Sequence, residues 1–302
     1  DDQSELGHYP KFIGQFIAVL PLVVIGDVVV REIPFFGPIP ESVGIPFTVF
    51  AIVGTINALN HSDGLDGLAG GESLLSLAAL VILGLSADVP VVSYIGLATI
   101  GGTIGFLRYN THPARVFMGD SGSQFLGFTL GTLVVLLMQR ADGLSAALPA
   151  LILGLPIVDI LAVLGQRIYH GMSWFRATRN HVHHRLLDLG FDHYESVVVI
   201  YGVQALLVVC AIFLQSSSNA LILTVYIAVC GAVFVGLIGA QLRNWRVHKN
   251  RADAPPGEQL VTNLSDSWFL TQAPLLLVSA AIPIWVLSSC ALISRVPTDY
   301  GW

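Results

Sequence analysis

The sequence has little charge: 11% of its 302 residues are Asp, Glu, Lys or Arg, whereas about a quarter are charged in a typical soluble protein. This deficit, together with 54% hydrophobic residues and a mean hydropathy of +0.74, excludes an ordinary water-soluble domain and indicates a membrane protein. An excess of basic residues is also missing. Because the net charge is −6, the chain has no positive field for a nucleic-acid backbone, and nucleic acid is not expected as a partner.

Cysteine is equally scarce, since Cys210, Cys230 and Cys290 each lie in an apolar run without paired spacing. This spacing suggests neither a disulfide framework nor a zinc knuckle. The sequence shows no internal repeat and no inverted hydropathy symmetry, which disfavours transporter folds built from repeats. No basic segment with a cleavage site precedes the first apolar run, so no signal peptide is expected.

Nine apolar runs are long enough to predict membrane-spanning helices, because a span needs about 20 residues and backbone polar groups in lipid must be bonded within the helix. The predicted helices cover roughly 9–30, 45–60, 67–86, 89–107, 121–138, 146–167, 195–215, 219–239 and 273–294. The second run is predicted to be short. The predicted fold is an all-α polytopic bundle, a single integral membrane domain over 1–302 with cytoplasmic loops 61–66, 108–120, 169–194 and 240–272.

The cations divide unequally between the two sides of this predicted bundle. Eleven of the 14 lysines and arginines fall on one side and three on the other. The minority consists of Arg31, Arg140 and Arg295. By the positive-inside rule the richer side is cytoplasmic, and all nine histidines lie on it. Any chemistry is therefore expected at the cytoplasmic face of the inner (plasma) membrane.

The most informative string is NALNHSDGLDGLAGG, in which four polar residues recur every third position at the end of the second run. These residues are Asn57, Asn60, Asp63 and Asp66. Such polarity is costly in lipid. A polar helix cap would need one of the four, and the two Asp-Gly pairs favour a turn. The string therefore predicts a functional loop lined by glycine.

A second string, RYNTHPARVFMGDSGS, ends immediately before the fifth run with Asp120. Asp, Ser and Gly at this place also make a good helix cap. Capping alone would not require Asn110 and Phe117 as well. A helix N-terminus suits an anion, and nearby carboxylates would recruit a hard cation such as Mg²⁺. The pattern favours phosphate chemistry.

The third string, RNHVHHRLLDLG, is the densest cluster of imidazole and cationic side chains. Zinc is one interpretation, although the histidines lack the spacing of a catalytic zinc helix and no cysteine is near. A solvated basic loop is another. Binding of phosphate or sugar hydroxyls fits Arg and His donors better.

Two features lie inside the apolar runs themselves. Asp159, in the sixth run, is an ionisable group in the membrane, which makes it equally a functional candidate and a buried structural residue. In the fifth run, Gly127 and Gly131 are four residues apart, a spacing that permits close helix packing.

These strings, in their order along the chain, resemble the polyprenyl-phosphate N-acetylhexosamine-1-phosphate transferase family, integral membrane enzymes that pass a sugar phosphate from a UDP-sugar to a lipid phosphate. The resemblance includes an acidic pair, Asp1-Asp2, followed by HYPKFIGQ, and it continues through PIVDILAVLGQRI to the histidine string. The form HVHHRL is similar to the bacterial branch that uses UDP-N-acetylglucosamine. The family has further helices before the acidic pair, which this chain is expected to lack, and His61 and Ser62 stand where many members are apolar.

The resemblance implies a role for each matching residue. The implied catalytic residues are Asp1, Asp2, Lys11 and Asp63, with the acidic pair and Lys11 near the lipid phosphate. The implied metal ligands are Asp120 and Asn60, binding Mg²⁺ or, in its place, Mn²⁺. The implied substrate-binding residues are Asn57, Gly64, Asp66, Asn110, Phe117, Asp159, His181, His183, His184 and Arg185. Of these, Phe117 would stack on the uracil, Asp66 and Asn110 would surround the uridine, and the histidines would meet the pyrophosphate or the sugar.

The implied reaction is attack by undecaprenyl phosphate on UDP-N-acetylglucosamine, which releases UMP and begins a lipid-linked cell-envelope glycan. Three alternatives stay open: a phospho-N-acetylmuramoyl-pentapeptide transferase of peptidoglycan synthesis, a transporter or channel, and a non-catalytic membrane subunit. The expected partners are the sugar nucleotide, the polyprenyl phosphate and the bilayer. A homodimer is left open beside a monomer.

Overall fold

In the computed structural model, the described residues are 7–172 and 180–247. They form nine helices and one short hairpin. The helices are α1 (His8–Val24), α2 (Glu41–Ser62), α3 (Leu68–Ser86), α4 (Pro90–Asn110), α5 (Gly119–Arg140), α6 (Leu148–Tyr169), α7 (Val182–Asp188), α8 (His193–Phe213) and α9 (Asn219–Leu242). Two strands, β1 (Glu32–Ile33) and β2 (Gly37–Pro38), pair antiparallel between α1 and α2. The predicted all-α class is confirmed.

Within the described residues, seven helices are long and apolar enough to cross a membrane: α2 to α6, α8 and α9. Helix α1 is apolar but shorter, at 17 residues. The chain is therefore a multi-pass helical membrane protein. The count of nine spans stays a prediction, and the run at 273–294 lies outside the described residues.

Two helices differ in length from the prediction. The second was predicted to be short, which is wrong, since α2 has 22 residues. It begins at Glu41 and continues through Pro46, which removes only one backbone hydrogen bond because it lacks an N–H. The first was predicted to extend to residue 30, but α1 ends at Val24, just before Gly26 and Asp27, whose φ of 51° is left-handed.

Among the described residues, helices α2 and α5 make one of the two most extensive helix pairs. A Cβ atom added at Gly127 would lie 2.6 Å from the Cα of Ile56, and one at Gly131 would lie 3.3 Å from the Cα of Ile52. The backbones therefore approach more closely than any larger side chain would allow. This confirms the packing role predicted for the two glycines, and it brings together the helix ends that carry Asn60 and Asp120.

Helix α6 is kinked at Gly154, whose φ of 43° lies outside the helical region. Pro156 has no N–H to donate to the carbonyl of Ile152, and this carbonyl accepts instead from Ser76 Oγ at 2.8 Å and from Gln204 Nε2 at 3.1 Å. The N–H of Leu155 donates to Gln204 Oε1 at 3.0 Å. The kink thus has its backbone groups satisfied by side chains of α3 and α8, and it sets the direction of the half of α6 that carries Asp159.

Helix α7 lies in the stretch 169–194, which was predicted to be a loop. The spacing of Val182, Leu186 and Leu189 places three apolar side chains on one helical face, and all three are buried. This face packs the histidine string against the bundle. Part of the histidine string is therefore a helix buried in the core, and it is not an exposed loop throughout.

We expect Gly127→Ala to lower the stability of the protein, because its methyl group would force α5 away from α2. Overpacking of this kind costs about 1–3 kcal/mol. The measurement is the thermal unfolding temperature in detergent. Gly105→Ala in α4 is the matched control, since nothing lies within 4 Å of its added Cβ. Equal unfolding temperatures for the two variants would contradict the close packing.

Candidate functional site

Three helices meet at one end of the bundle through the carboxylate of Asp120, the second residue of α5. Lys11 of α1 forms an ion pair with its Oδ2. Asn60 of α2 donates through Nδ2 to its Oδ1 at 3.0 Å and to Ser123 Oγ at 2.9 Å. The four residues Lys11, Asn60, Asp120 and Ser123 are termed the carboxylate junction. Asp120 therefore connects α5 to α1 and α2 through its side chain.

A second polar layer lies beneath the carboxylate junction, one helical turn further into the bundle. Asn57 of α2 donates to Gln15 Oε1 at 2.8 Å, and Gln15 donates to Gln124 Oε1 of α5 at 3.2 Å. These amides connect the same three helices. Asn57 is therefore bonded to protein groups, and its predicted contact with substrate stays a prediction.

The carboxylate junction contains oxygen ligands of the type that a hard divalent cation prefers. Asp120 is about a quarter exposed, and Asn60 places its amide beside it. Asp63 lies near the carboxylates of Asp120 and Asp66. Its burial, and then the negative charges of these two neighbours, raises the pKa of Asp63 to about 6. This concentration of negative charge suits a cation, so the residues present fit Mg²⁺.

The histidine string is anchored by Asp159, which is 6% exposed. Its Oδ1 accepts from the N–H of Val182 at 2.9 Å, and its Oδ2 lies 2.8 Å from His181 Nδ1. The Nδ1 edge of the His181 ring therefore faces Asp159, and Nε2 lies on the opposite edge. Asp159 thus orients an imidazole, and both of its oxygens are bonded to protein.

His183 and His184 lie side by side, with ring centroids 4.2 Å apart. Burial, and then the nearby His184, lowers the pKa of His183 to about 4, so His183 is neutral at pH 7. Gly64 packs directly on this ring, because a Cβ added there would lie 2.3 Å from His183 Nε2. The glycine loop and the histidine string are therefore in contact, as the predicted site requires.

The third group of predicted residues surrounds Asp66. Its Oδ2 accepts from the N–H of Ala114 at 3.0 Å and lies 2.8 Å from His112 Nδ1. Burial raises the pKa of Asp66, but these two hydrogen bonds outweigh it, and the net pKa is lowered. Asn110 is 2% exposed; it accepts from the N–H of Gly67 and donates to the carbonyl of Val116, both at 2.9 Å. Asn110 thereby ties the two loops together through the backbone.

Two predicted residues lie at the edge of this region. Phe117 is 75% exposed and is available for stacking. Arg185 donates through Nε to the carbonyl of Asn180 at 3.0 Å, and its Nη1 lies 3.5 Å from Gln241 Oε1. His183 is neutral at pH 7, whereas Arg185 gives the histidine string a permanent positive charge.

All three groups gather around one segment, residues 57–67. Asn60 belongs to the carboxylate junction, Gly64 contacts the histidine string, and Asp66 is bound by the loop after α4. The strings that were predicted to converge do so in the described residues. Asp1 and Asp2 lie outside them, and their roles stay predictions.

A buried acid that was not among the predicted site residues is Glu72 of α3, which is 2% exposed. Among the described residues, its Oε2 has no hydrogen-bond partner. It lines a cavity of about 10 Å³ together with Ser73 and Ser76, which is room for one water molecule. An acidic residue in an apolar run was the signal that could have identified it. Asp159 is thus not the only carboxyl group within the spans.

Comparison with known proteins gives a consistent result. Residues 1–138 match the sequence model of the family described as Glycosyl transferase family 4. The chain is 36% identical over 222 residues to a protein of Bacillus subtilis (strain 168) named probable undecaprenyl-phosphate N-acetylglucosaminyl 1-phosphate transferase. This alignment covers 72% of this chain and 62% of that relative. It is 32% identical over 263 residues to the decaprenyl-phosphate N-acetylglucosaminephosphotransferase of Mycobacterium leprae (strain TN), over 78% of this chain and 66% of that relative.

A third relative matches a smaller part of the chain. The phospho-N-acetylmuramoyl-pentapeptide-transferase of Caldanaerobacter subterraneus is 38% identical over 142 residues, which is 47% of this chain and 44% of that relative. The chain spans just under two thirds of the length of the two N-acetylglucosamine relatives.

We expect Asp63 to make the stability of the folded protein pH-dependent. Its raised pKa means that the folded state binds a proton more tightly than the unfolded state, whose pKa is near 3.8. The resulting stabilisation is present below about pH 4 and is lost as the pH rises through about 6. The measurement is thermal unfolding in detergent with EDTA, at pH 4 and pH 7, for wild type and Asp63→Asn. Wild type should lose stability relative to the variant on going to pH 7.

Asp142→Asn, an exposed carboxyl on the loop between α5 and α6, controls for the substitution itself. If wild type and Asp63→Asn keep the same difference in unfolding temperature at both pH values, the raised pKa of Asp63 is wrong.

Proposed function

We propose that this chain, which belongs to glycosyl transferase family 4, transfers N-acetylglucosamine 1-phosphate from UDP-N-acetylglucosamine to undecaprenyl phosphate. The observation that carries the proposal is the meeting of the carboxylate junction, the Asp159–His181 pair and the Asp66 loop around residues 57–67. The names of the two N-acetylglucosamine relatives support both the sugar and the polyprenyl acceptor. The product would begin a lipid-linked cell-envelope glycan.

The same proposal includes the location of the site. The eleven-to-three division of the cations supports a cytoplasmic active site in a plasma-membrane protein with nine spans. Every group in the site comes from a segment on the cation-rich side. A soluble nucleotide sugar would therefore meet a membrane-bound lipid phosphate at this face.

In the proposed reaction, an oxygen of the lipid phosphate forms a bond to the phosphorus that carries the sugar. The bond from that phosphorus to the UMP oxygen breaks, and UMP leaves with the electron pair. A phosphate monoester has its second pKa near about 6, so the nucleophile is largely dianionic at neutral pH. Little base strength is needed, and the main task of the protein is to bring two anions together.

The chain's own residues divide this task by position. Lys11 would neutralise and orient the lipid phosphate, with Asp1 and Asp2 nearby. Asp120 and Asn60 would hold Mg²⁺, and Mn²⁺ could replace it. When bound, the metal ion would offset the charge of the phosphates. Asp63, as the third carboxyl of the group, would complete the acidic environment.

The sugar nucleotide would lie across the other two groups. Phe117 would stack on the uracil, and Asp66 would accept a hydrogen bond from the base. His181 would offer Nε2, and Arg185 its positive charge, to the pyrophosphate or the sugar. Because His183 is neutral at pH 7, it would serve as a hydrogen-bonding group and not as a cation.

A muramoyl-pentapeptide donor is the second candidate, since a relative with that named activity matches about half of the chain. The HVHHRL form of the histidine string favours N-acetylglucosamine instead. Assaying both UDP-sugars with one lipid phosphate separates the two candidates. If neither sugar nucleotide gives release of UMP, the proposal is overturned.

We expect Asp120→Asn to lower the rate of UMP release by roughly 100-fold or more, which is the usual effect of removing one charge-stabilising group. The amide keeps the shape of the side chain but loses the charge that pairs with Lys11 and binds the cation. The measurement is UMP release by the purified full-length protein with UDP-N-acetylglucosamine, undecaprenyl phosphate and Mg²⁺. Asp142→Asn is the matched control, and an active Asp120→Asn protein would remove Asp120 from the metal role.

We expect Asp159→Asn to lower kcat/KM on the order of 10- to 100-fold, the effect known for hydrogen-bond partners that orient a histidine. Because Asp159 would act through His181, the double variant Asp159→Asn/His181→Ala should lose no more than His181→Ala alone. The measurement is a double-mutant cycle of kcat/KM. Additive losses would show that the two residues act separately. The zinc content of both proteins is measured as well. Zinc that is present in wild type but lost from His181→Ala would favour a metal role for the histidine string.

A further inference from the structure

Three residues that the proposed reaction does not use directly contact Asp66, and a fourth contacts one of these three. His112 places Nδ1 2.8 Å from Asp66 Oδ2, and Ala114 donates its N–H to the same oxygen at 3.0 Å. His193, the first residue of α8, has its Nε2 3.3 Å from the backbone carbonyl of Asp66. Tyr194 donates its hydroxyl to the backbone carbonyl of His112. Side chain and backbone of Asp66 are therefore held from two different segments.

The orientation of His112 is itself determined by its neighbours. The ring of His193 stacks on it, with centroids 4.0 Å apart and planes at 20°, and the ring of Tyr194 meets it edge-on at 5.2 Å. An aromatic ring held on two sides has few orientations available. His112, His193 and Tyr194 are termed the aromatic clasp. Through it, the Nδ1 of His112 is directed at a single oxygen of the Asp66 carboxylate.

This contact has a chemical consequence for ligand binding. The two hydrogen bonds to Oδ2 favour the ionised carboxylate, and an ionised carboxylate accepts hydrogen bonds but cannot donate them. Uracil has an N–H at ring position 3, whereas cytosine has an unprotonated nitrogen there. A fixed carboxylate acceptor that faces ring position 3 therefore accepts from the N–H of uracil and repels the lone pair of the cytosine nitrogen.

We propose that the aromatic clasp, with His112 as its central positioning residue, holds the Asp66 carboxylate as a fixed acceptor and thereby sets the preference of this chain for a uridine nucleotide. The inference rests on the proposed function, which assigns Asp66 to the nucleoside. His112 acts through Asp66 and makes no contact with the reacting atoms.

The clasp also connects two parts of the site. His193 and Tyr194 begin α8, directly after the segment that contains α7 and the histidine string. The capping box of Asp192 and Glu195 fixes the start of α8. The nucleoside end and the pyrophosphate end of the site are thus joined by a few residues.

The test measures the affinity of the purified full-length protein for UMP and for CMP by isothermal titration calorimetry, so it does not depend on turnover. Wild type should prefer UMP. We expect His112→Ala to bind UMP roughly tenfold more weakly, since a hydrogen bond to a charged group is lost, while CMP binding changes little. His112→Asn, whose amide can donate in place of Nδ1, should restore most of the affinity. His170→Ala, an exposed histidine at the end of α6, is the matched control.

Steady-state kinetics give the second readout. In His112→Ala the KM for UDP-N-acetylglucosamine should rise by a similar factor, with kcat within about twofold of wild type. A loss of kcat at unchanged KM, or a loss of UMP affinity that His112→Asn fails to restore, would overturn the inference. The protein could bind UMP with the expected responses to substitution and yet release no UMP in the assay. That result would refute the proposed function, while the inference about the aromatic clasp would stand.

A metal role is the remaining outcome that would overturn the inference. Asp66, His112 and His193 each offer a ligand atom within 4.8 Å of the others. If the purified protein holds one zinc ion per chain and His193→Ala loses it, the cluster is a metal site. Absence of bound zinc in wild type supports the positioning role.

Discussion

The site depends on how the negative charge of Asp120 is balanced at the end of three helices. Its carboxylate is bonded at once to Lys11 of α1 and Asn60 of α2, and these contacts require α2 and α5 to approach closely. Gly127 and Gly131 make that approach sterically feasible. A packing property deep in the bundle therefore determines a charge arrangement at its surface, and the second amide layer through Gln15 and Asn57 reinforces it.

The kink in α6 has a comparable function on the opposite side of the site. Pro156 releases the carbonyl of Ile152, and Ser76 and Gln204 satisfy it from neighbouring helices. The half of α6 that follows the kink then carries Asp159 to the histidine string, where it holds the Nδ1 edge of the His181 ring. The backbone groups at the kink are buried among apolar helices and are bonded by side chains, because unbonded ones would be costly there.

Much of this arrangement was predictable from local patterns. Apolar runs indicated eight of the helices that the structure describes. The strings around Asn60, Asp120 and His181 identified the residues that gather in the site. The length of α2, the helix α7 and the buried Glu72 were missed, because proline, a short amphipathic segment and a single acid are weak signals beside long apolar runs. Those features depend on neighbours that are distant in sequence.

The sequence by itself determined the class of the protein, its membrane character and the residue types available for phosphate chemistry, because hydropathy and side-chain charge are properties of each segment alone. Only the tertiary structure decided which atoms pair: that Lys11 meets Asp120, that Asp159 orients His181, and that His112 and His193 stack beside Asp66. Such pairs come from segments between 22 and 127 residues apart, and their contacts arise only when helix packing has brought the segments together.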